Sequence, residues 1–128
     1  MAALIYLDTH VVVWLYAGRV EQIPERARNA IRENELLISP MVLLELQYLH
    51  EIGRVSELPG AVIEALEEEL GLRMCEVPFS QVARRALEQS FTRDPFDRLI
   101  VSQAALRGLP LVTKDRMIHE NYSESIWD

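Results

Sequence analysis

Short apolar runs alternate with segments of helical period along this chain. Residues 4–7 are continuously apolar and end at Asp8, the mark of a strand buried on both faces. Residues 11–17 begin a first helix, stopped by Gly18. Pro24 opens a second, with Ala27, Ala30 and Ile31 on one face. Leu36, Leu37 and Ile38 form a second short strand. Ser39-Pro40 then has the N-cap and first-turn chemistry of a helix that runs to about Ile52, before Gly53. Pro59-Gly60 leads into another helix, with Val62, Ile63, Leu66 and Leu70 apolar and Gly71 at its end. Residues 74–77 read as a third strand. Ser80 reads as the cap of a helix carrying Val82, Ala83, Ala86 and Leu87. Asp94-Pro95 starts a helix that runs to about Arg107 and stops at Gly108. Residues 109–113 form a strand ending near Asp115, and Ser125, Ile126 and Trp127 a final edge strand. This alternation predicts an α/β fold with a largely parallel sheet. No repeat, low-complexity segment or linker interrupts it.

Composition narrows the class. A length of 128 residues fits a single domain spanning 1–128. At 49% hydrophobic the chain excludes intrinsic disorder. The one cysteine, Cys75, permits no internal disulfide and suits a reducing cytoplasm; its apolar setting predicts a small buried residue. Three histidines and one cysteine do not make an ordinary structural zinc site. No apolar run approaches the roughly 18 residues of a membrane span. The first residues carry no positive region of a signal peptide and read as a strand. A net charge of −7 argues against a protein that binds nucleic acid over its whole surface. It is compatible with a small contact patch, and with carboxylates gathered to hold a cation.

Among the 20 acidic residues most have plain readings, such as Glu67, Glu68 and Glu69 on a solvated helix face. Four stand apart. Asp8 and Asp115 follow apolar strands, where ligands bind in open parallel sheets. Asp8 could equally cap the next helix, and Asp115 sit in a turn. Glu45 has Met41, Val42, Tyr48 and Leu49 as helical neighbours and no cation among them. Such a carboxylate is costly to bury unless paired or metal-bound, or else it marks an exposed face. Asp97 lies three residues after Asp94, so an acid favouring the helix dipole competes with a functional role; Asp94 reads as a cap. Two carboxylates about 4 Å apart repel by roughly 4 kcal/mol at an effective dielectric near 20. Four converging acids therefore call for a hard divalent cation, with Mg²⁺ or Mn²⁺ the natural choices. Such an ion activates water and stabilises phosphoryl charge, which points to phosphodiester chemistry.

In order and phrasing, Leu7-Asp8-Thr9, Glu45 on the helix after Ser39-Pro40, Asp94-Pro95-Phe96-Asp97-Arg98-Leu99-Ile100 and Thr113-Lys114-Asp115 resemble the PIN domain. The likeness spans essentially the whole chain and is strongest to the short VapC-like toxins of VapBC toxin–antitoxin pairs. The resemblance implies a three-layer fold with a central, mainly parallel sheet of about five strands between helices. It also implies a metal-dependent endoribonuclease using Mg²⁺ or Mn²⁺. Asp8, Glu45, Asp97 and Asp115 would then be the metal-site acids, with Asp8 and Asp97 as direct ligands. Glu45 and Asp115 would act through water or on a second ion. Thr9 and Thr113 would orient carboxylates. His10 departs from the small hydroxyl or amide residue of many relatives; it could contact phosphate or simply pack. Arg98, Lys114 and Arg116 flank the acids as candidates for holding the RNA backbone.

The helix after Ser39 is apolar almost all round, which suggests that part of it, with Trp14 and Tyr16, faces another chain. The resemblance supplies a VapB-like antitoxin and a homodimer as partners. Rival readings are weaker. A receiver domain needs an Asp near mid-chain, and none lies between Asp8 and Asp94. A dehalogenase-type phosphatase needs an Asp where His10 stands. A non-catalytic PIN-like binding module is the main alternative.

Overall fold

The computed structural model describes residues 3–128. The strands are β1 (Leu4–Leu7), β2 (Glu35–Ile38), β3 (Arg73–Met74), β4 (Leu111–Val112) and β5 (Ser125–Ile126). The helices are α1 (Thr9–Tyr16), α2 (Glu25–Glu33), α3 (Pro40–Glu51), α4 (Pro59–Leu70), α5 (Phe79–Ala86), α6 (Pro95–Ala105) and α7 (Arg116–Asn121). The five strands run in the order β3-β2-β1-β4-β5, and every neighbouring pair is parallel. The α/β class and the five-stranded sheet between helices thus hold.

The register follows from the apolar runs. Ile5 pairs with Leu36, and Leu7 with Val112, so the central strands are buried on both faces. From β1 the chain builds outward through β2 and β3, then crosses back to place β4 on the other side of β1. That reversal opens a crevice beyond the carboxyl ends of β1 and β4, where parallel sheets of this kind bind ligands. Asp8 and the segment after Val112 both emerge there.

Several boundaries differ from the pattern. The third strand covers Arg73–Met74 alone; Cys75 makes its last ladder bond, to the Ile38 carbonyl at 2.9 Å, before Pro78 turns the chain. Helix α5 starts at Phe79 after Pro78, with no side chain capping it, so Ser80 lies inside the helix. The strand expected over residues 109–113 is only Leu111–Val112; it starts after Pro110, which has no N–H to offer a ladder. Helix α7 is a further difference: Asp115 caps a helix of six residues that buries only Ile118, too short and polar to announce itself by period. Cys75 is buried as expected, and its sulfur accepts the Tyr6 hydroxyl at 2.9 Å.

Helix α4 ends at Gly71, whose φ of 69° is left-handed. A Cβ there would meet nothing within 4 Å, so Gly71→Ala costs backbone strain alone. We expect a loss of about 1 kcal/mol in urea unfolding; an unchanged midpoint would show that the turn adapts freely.

The apolar faces of α3 separate. Val42, Leu46 and Leu49 are buried, while Leu43, Leu44, Tyr48 and Ile52 are exposed. Leu43 and Leu44 line an apolar groove with Leu58 and Pro59. Trp14 and Tyr16 line a different groove, so the single surface expected from the sequence is two. No helix among the described residues is long and apolar enough to cross a membrane.

Candidate functional site

Beyond the carboxyl ends of β1 and β4 lies a cavity of about 370 Å³, lined by Asp8, His10, Trp14, Glu45, Asp94, Asp97, Lys114 and Asp115. The four acids singled out from the sequence are all on its wall, joined by Asp94. Three of these five carboxylates sit where they do because they start helices. Asp8 precedes α1 and accepts the Thr9 N–H at 2.8 Å. Asp94 precedes α6 and accepts the Phe96 and Asp97 N–H groups at 2.8 and 3.2 Å. Asp115 precedes α7 and accepts those of Met117 and Ile118 at 2.8 and 3.1 Å. The cap readings thus hold for Asp8 and Asp94, and both caps also line the cavity. Backbone N–H groups and positive helix ends offset part of the accumulated charge.

Asp8 is the innermost, 6% exposed. Its other oxygen accepts the Thr113 hydroxyl at 2.6 Å. Burial pushes its carboxyl above the ordinary range, against the donors from Thr113 and Thr9. Glu45, half-buried on α3, accepts the Thr9 hydroxyl. Burial raises it too; the Thr9 bond opposes this and the Asp8 charge adds to it. Asp97, in the first turn of α6, is pushed up to about 7, first by burial and then by the charges of Asp8, Asp94, Asp115 and Glu45. Thr9 and Thr113 thus each orient one carboxylate of the cavity wall through a hydroxyl.

Among the described residues none of these five carboxylates is ion-paired: the two salt bridges, Arg73–Glu35 and Arg85–Glu88, lie elsewhere. Five oxygen-donor groups with no protein cation paired to them match the donor chemistry of a hard divalent ion. As placed they ring the cavity without converging, for among the described residues no three acid, His or Cys side chains are close enough together to hold one ion. Sharing an ion would draw side chains further into the cavity; Asp97, only partly buried, is not held by a threonine hydroxyl as Asp8 and Glu45 are.

The basic candidates divide. Lys114 and exposed His10 line the cavity. Arg98 does not: its guanidinium donates to the Ala86 carbonyl at 2.9 and 3.2 Å and closes the end of α5. Arg116 is exposed on α7 and also stands off the cavity wall. Trp14, read from the sequence only as a partner surface, is part of this wall. So is Asp94, read only as a cap. A cap at the carboxyl-end side of a parallel sheet was the available signal for Asp94; Trp14 had none.

Residues 5–123 match the family model described as PIN domain. The chain is 32% identical over 120 residues to "Ribonuclease VapC22" of Mycobacterium tuberculosis, covering 91% of each. It is 26% identical over 113 residues to "tRNA(fMet)-specific endonuclease VapC" of Shigella flexneri, covering 85% of this chain and 84% of that one. Its fold is similar to a chain of VapBC2 from Rickettsia felis, solved bound to a DNA fragment from their promoter, with a TM-score of 0.63, 19% identity, and 98% and 99% of the two chains covered. Divalent-metal dependence is general among ribonucleases of this family. With its order of acids, its sheet and these relatives, the chain belongs to the PIN domain family, on its VapC branch.

Proposed function

We propose that this protein is a metal-dependent endoribonuclease, the toxin of a VapBC-type toxin–antitoxin pair. One observation carries the reading: five carboxylates, three raised above their ordinary pKa, line one cavity at the sheet's switch point with no protein cation paired to them. The relatives named as ribonuclease and endonuclease support the choice of RNA.

Asp8 and Asp97 are the proposed direct ligands of Mg²⁺, with Mn²⁺ as the alternative ion; Glu45 and Asp115 act through water or on a second ion. When bound, the metal supplies charge neutralisation at phosphoryl oxygens and acidification of a water. The chain's own residues do the rest. Thr113 and Thr9 hold Asp8 and Glu45 in orientation. Lys114 and His10, on the same wall, are the proposed contacts to the RNA backbone.

A VapB-like antitoxin and a second copy of the chain are the proposed partners, in a cytoplasmic setting. The groove beside Leu43, Leu44 and Leu58 is apolar surface available to one of them. A light-scattering mass of one chain at micromolar concentration would remove the homodimer.

RNA cleavage by the purified chain in Mg²⁺, in Mn²⁺ and in EDTA tests the activity. Cleavage with either ion and none in EDTA is expected. Absence of cleavage with absence of divalent-ion binding by calorimetry would leave a PIN-like binding module instead.

A further inference from the structure

We infer that Lys114 holds a phosphate of the RNA strand at the rim of the acid cavity, and that Trp14 is the residue that positions it. The inference rests on the nuclease reading above.

Lys114 is the chain's single lysine, between Thr113 and Asp115. Its side chain shares a wall with Asp8, Glu45, Asp94, Asp97 and Asp115. An ammonium in such company would be expected to pair with one of them. Yet among the described residues no carboxylate oxygen lies within 4.0 Å of it. Its Nζ sits instead 5.3 Å from the centroid of the Trp14 indole, a cation–π distance. At a solvated rim an ion pair and a cation–π contact compete on even terms, so the placement of the ring decides between them.

That placement is fixed from several sides. Trp14 belongs to α1, packs partly against the core, and meets Trp127 at 5.9 Å between ring centroids with an interplanar angle of 40°. Trp127 directly follows β5, which pairs with β4, the strand that leads to Lys114. Exposed His10 flanks the indole at 6.3 Å.

The chemical consequence concerns donors. A carboxylate partner would occupy the ammonium's N–H groups, whereas the indole face attracts its charge and leaves those groups free for the non-bridging oxygens of a phosphodiester. Arg98 closes α5 and Arg116 is off the wall, so Lys114 is the cation that keeps donors at the site. In a chain of net charge −7 a cation on the acid wall offsets part of the repulsion a polyanion meets there.

The test compares Lys114→Gln, Trp14→Leu, Trp14→Phe and the double variant Lys114→Gln/Trp14→Leu on a single-stranded oligoribonucleotide in Mg²⁺ across a salt series. A phosphate contact made equally in ground and transition states acts on KM and spares kcat. We expect Lys114→Gln and Trp14→Leu each to raise KM about 5–10-fold with kcat within about twofold, and each to lower the logarithmic salt slope by about 0.7. Trp14→Phe should keep most of the wild-type KM, and the double variant should be no worse than Lys114→Gln. Additive effects, an unchanged slope, or equal losses in Trp14→Phe and Trp14→Leu would overturn the positioning role. A second readout is independent of activity. Reductive ¹³C-dimethylation gives one side-chain lysine signal, which the Trp14 ring should shift and which the Trp14→Leu variant should return to its free position. Adding the oligoribonucleotide to dimethylated Asp97→Asn in Mg²⁺ should move it again. Cleavage unaltered in every variant would sink this inference and leave the nuclease intact. Wild-type protein that binds the oligonucleotide without cutting it would sink the nuclease reading, with the salt slope of binding then deciding on Lys114.

Discussion

Asp97→Asn is expected to abolish metal-dependent RNA cleavage and, in the same protein, to raise the melting temperature measured in EDTA. The two effects have one cause. Asp97 is a proposed ligand, and loss of a group that organises charge at a reacting phosphate costs on the order of 10²–10³ in rate. The same carboxyl is pushed up to about 7 by burial and by four neighbouring acids, so without an ion it is a destabilising charge at neutral pH. The sign follows from linkage. An acid whose native pKa lies above the unfolded value of 3.8 binds its proton more tightly when folded. Stability in EDTA is therefore intact below that value, falls as pH rises, and reaches its full deficit above about 7. The full shift corresponds to about 4 kcal/mol. Asp97 is partly solvated, so screening reduces this to about 1–3 kcal/mol, or a gain on the order of 5 °C for the Asn variant at pH 8. The variant should also flatten the decline between about pH 4 and 7. Cleavage within a few-fold of wild type would remove Asp97 from the proposed ligands. A pH slope identical to wild type would show that its charge is not what the acid cavity strains against.

Most of this was legible in the sequence, for physical reasons that differ by residue. The apolar run ending at Asp8 had to be a buried strand, and an acid at such a strand's carboxyl end falls in the crevice of a parallel sheet. Glu45 stood out because its helical neighbours are apolar, and the structure shows why: α3 buries Val42, Leu46 and Leu49 beside it. The short strands and α7 were less legible. Two-residue ladders such as Leu111–Val112 are set by where a neighbour's hydrogen bonds end, which no local pattern records. The place of Arg98 off the cavity wall was not legible, because its destination, the Ala86 carbonyl, lies on another helix. Trp14 looked like spare apolar surface because its partners, Lys114 and Trp127, come from distant parts of the chain. Local chemistry identified which groups were costly; the tertiary fold determined what relieves the cost.

Thr113→Val should separate structural from catalytic debts at the innermost acid. The substitution keeps shape and removes only a hydroxyl, which donates to Asp8 Oδ2 at 2.6 Å and accepts the Asp115 N–H at 3.0 Å. Asp8 is 6% exposed, so water replaces that donor poorly. A buried charged acceptor and a backbone donor are then left short together, at a cost of about 2–3 kcal/mol in urea unfolding. Losing a group that orients a proposed ligand should also weaken divalent-ion binding or activity about 10–100-fold. Because the Thr113 bond holds Asp8 down against burial, its loss favours the protonated acid, and the metal concentration needed for half-maximal activity should rise most at low pH. Thr113→Ser retains the hydroxyl and should recover most of both losses. If Thr113→Val destabilises the fold while leaving the metal requirement unchanged, Thr113 is a structural partner of Asp8 alone, and Asp8 itself is a weaker candidate for a direct ligand. If both losses appear and Ser restores both, the hydrogen bond that stabilises the buried carboxylate is also the one that presents it to the ion.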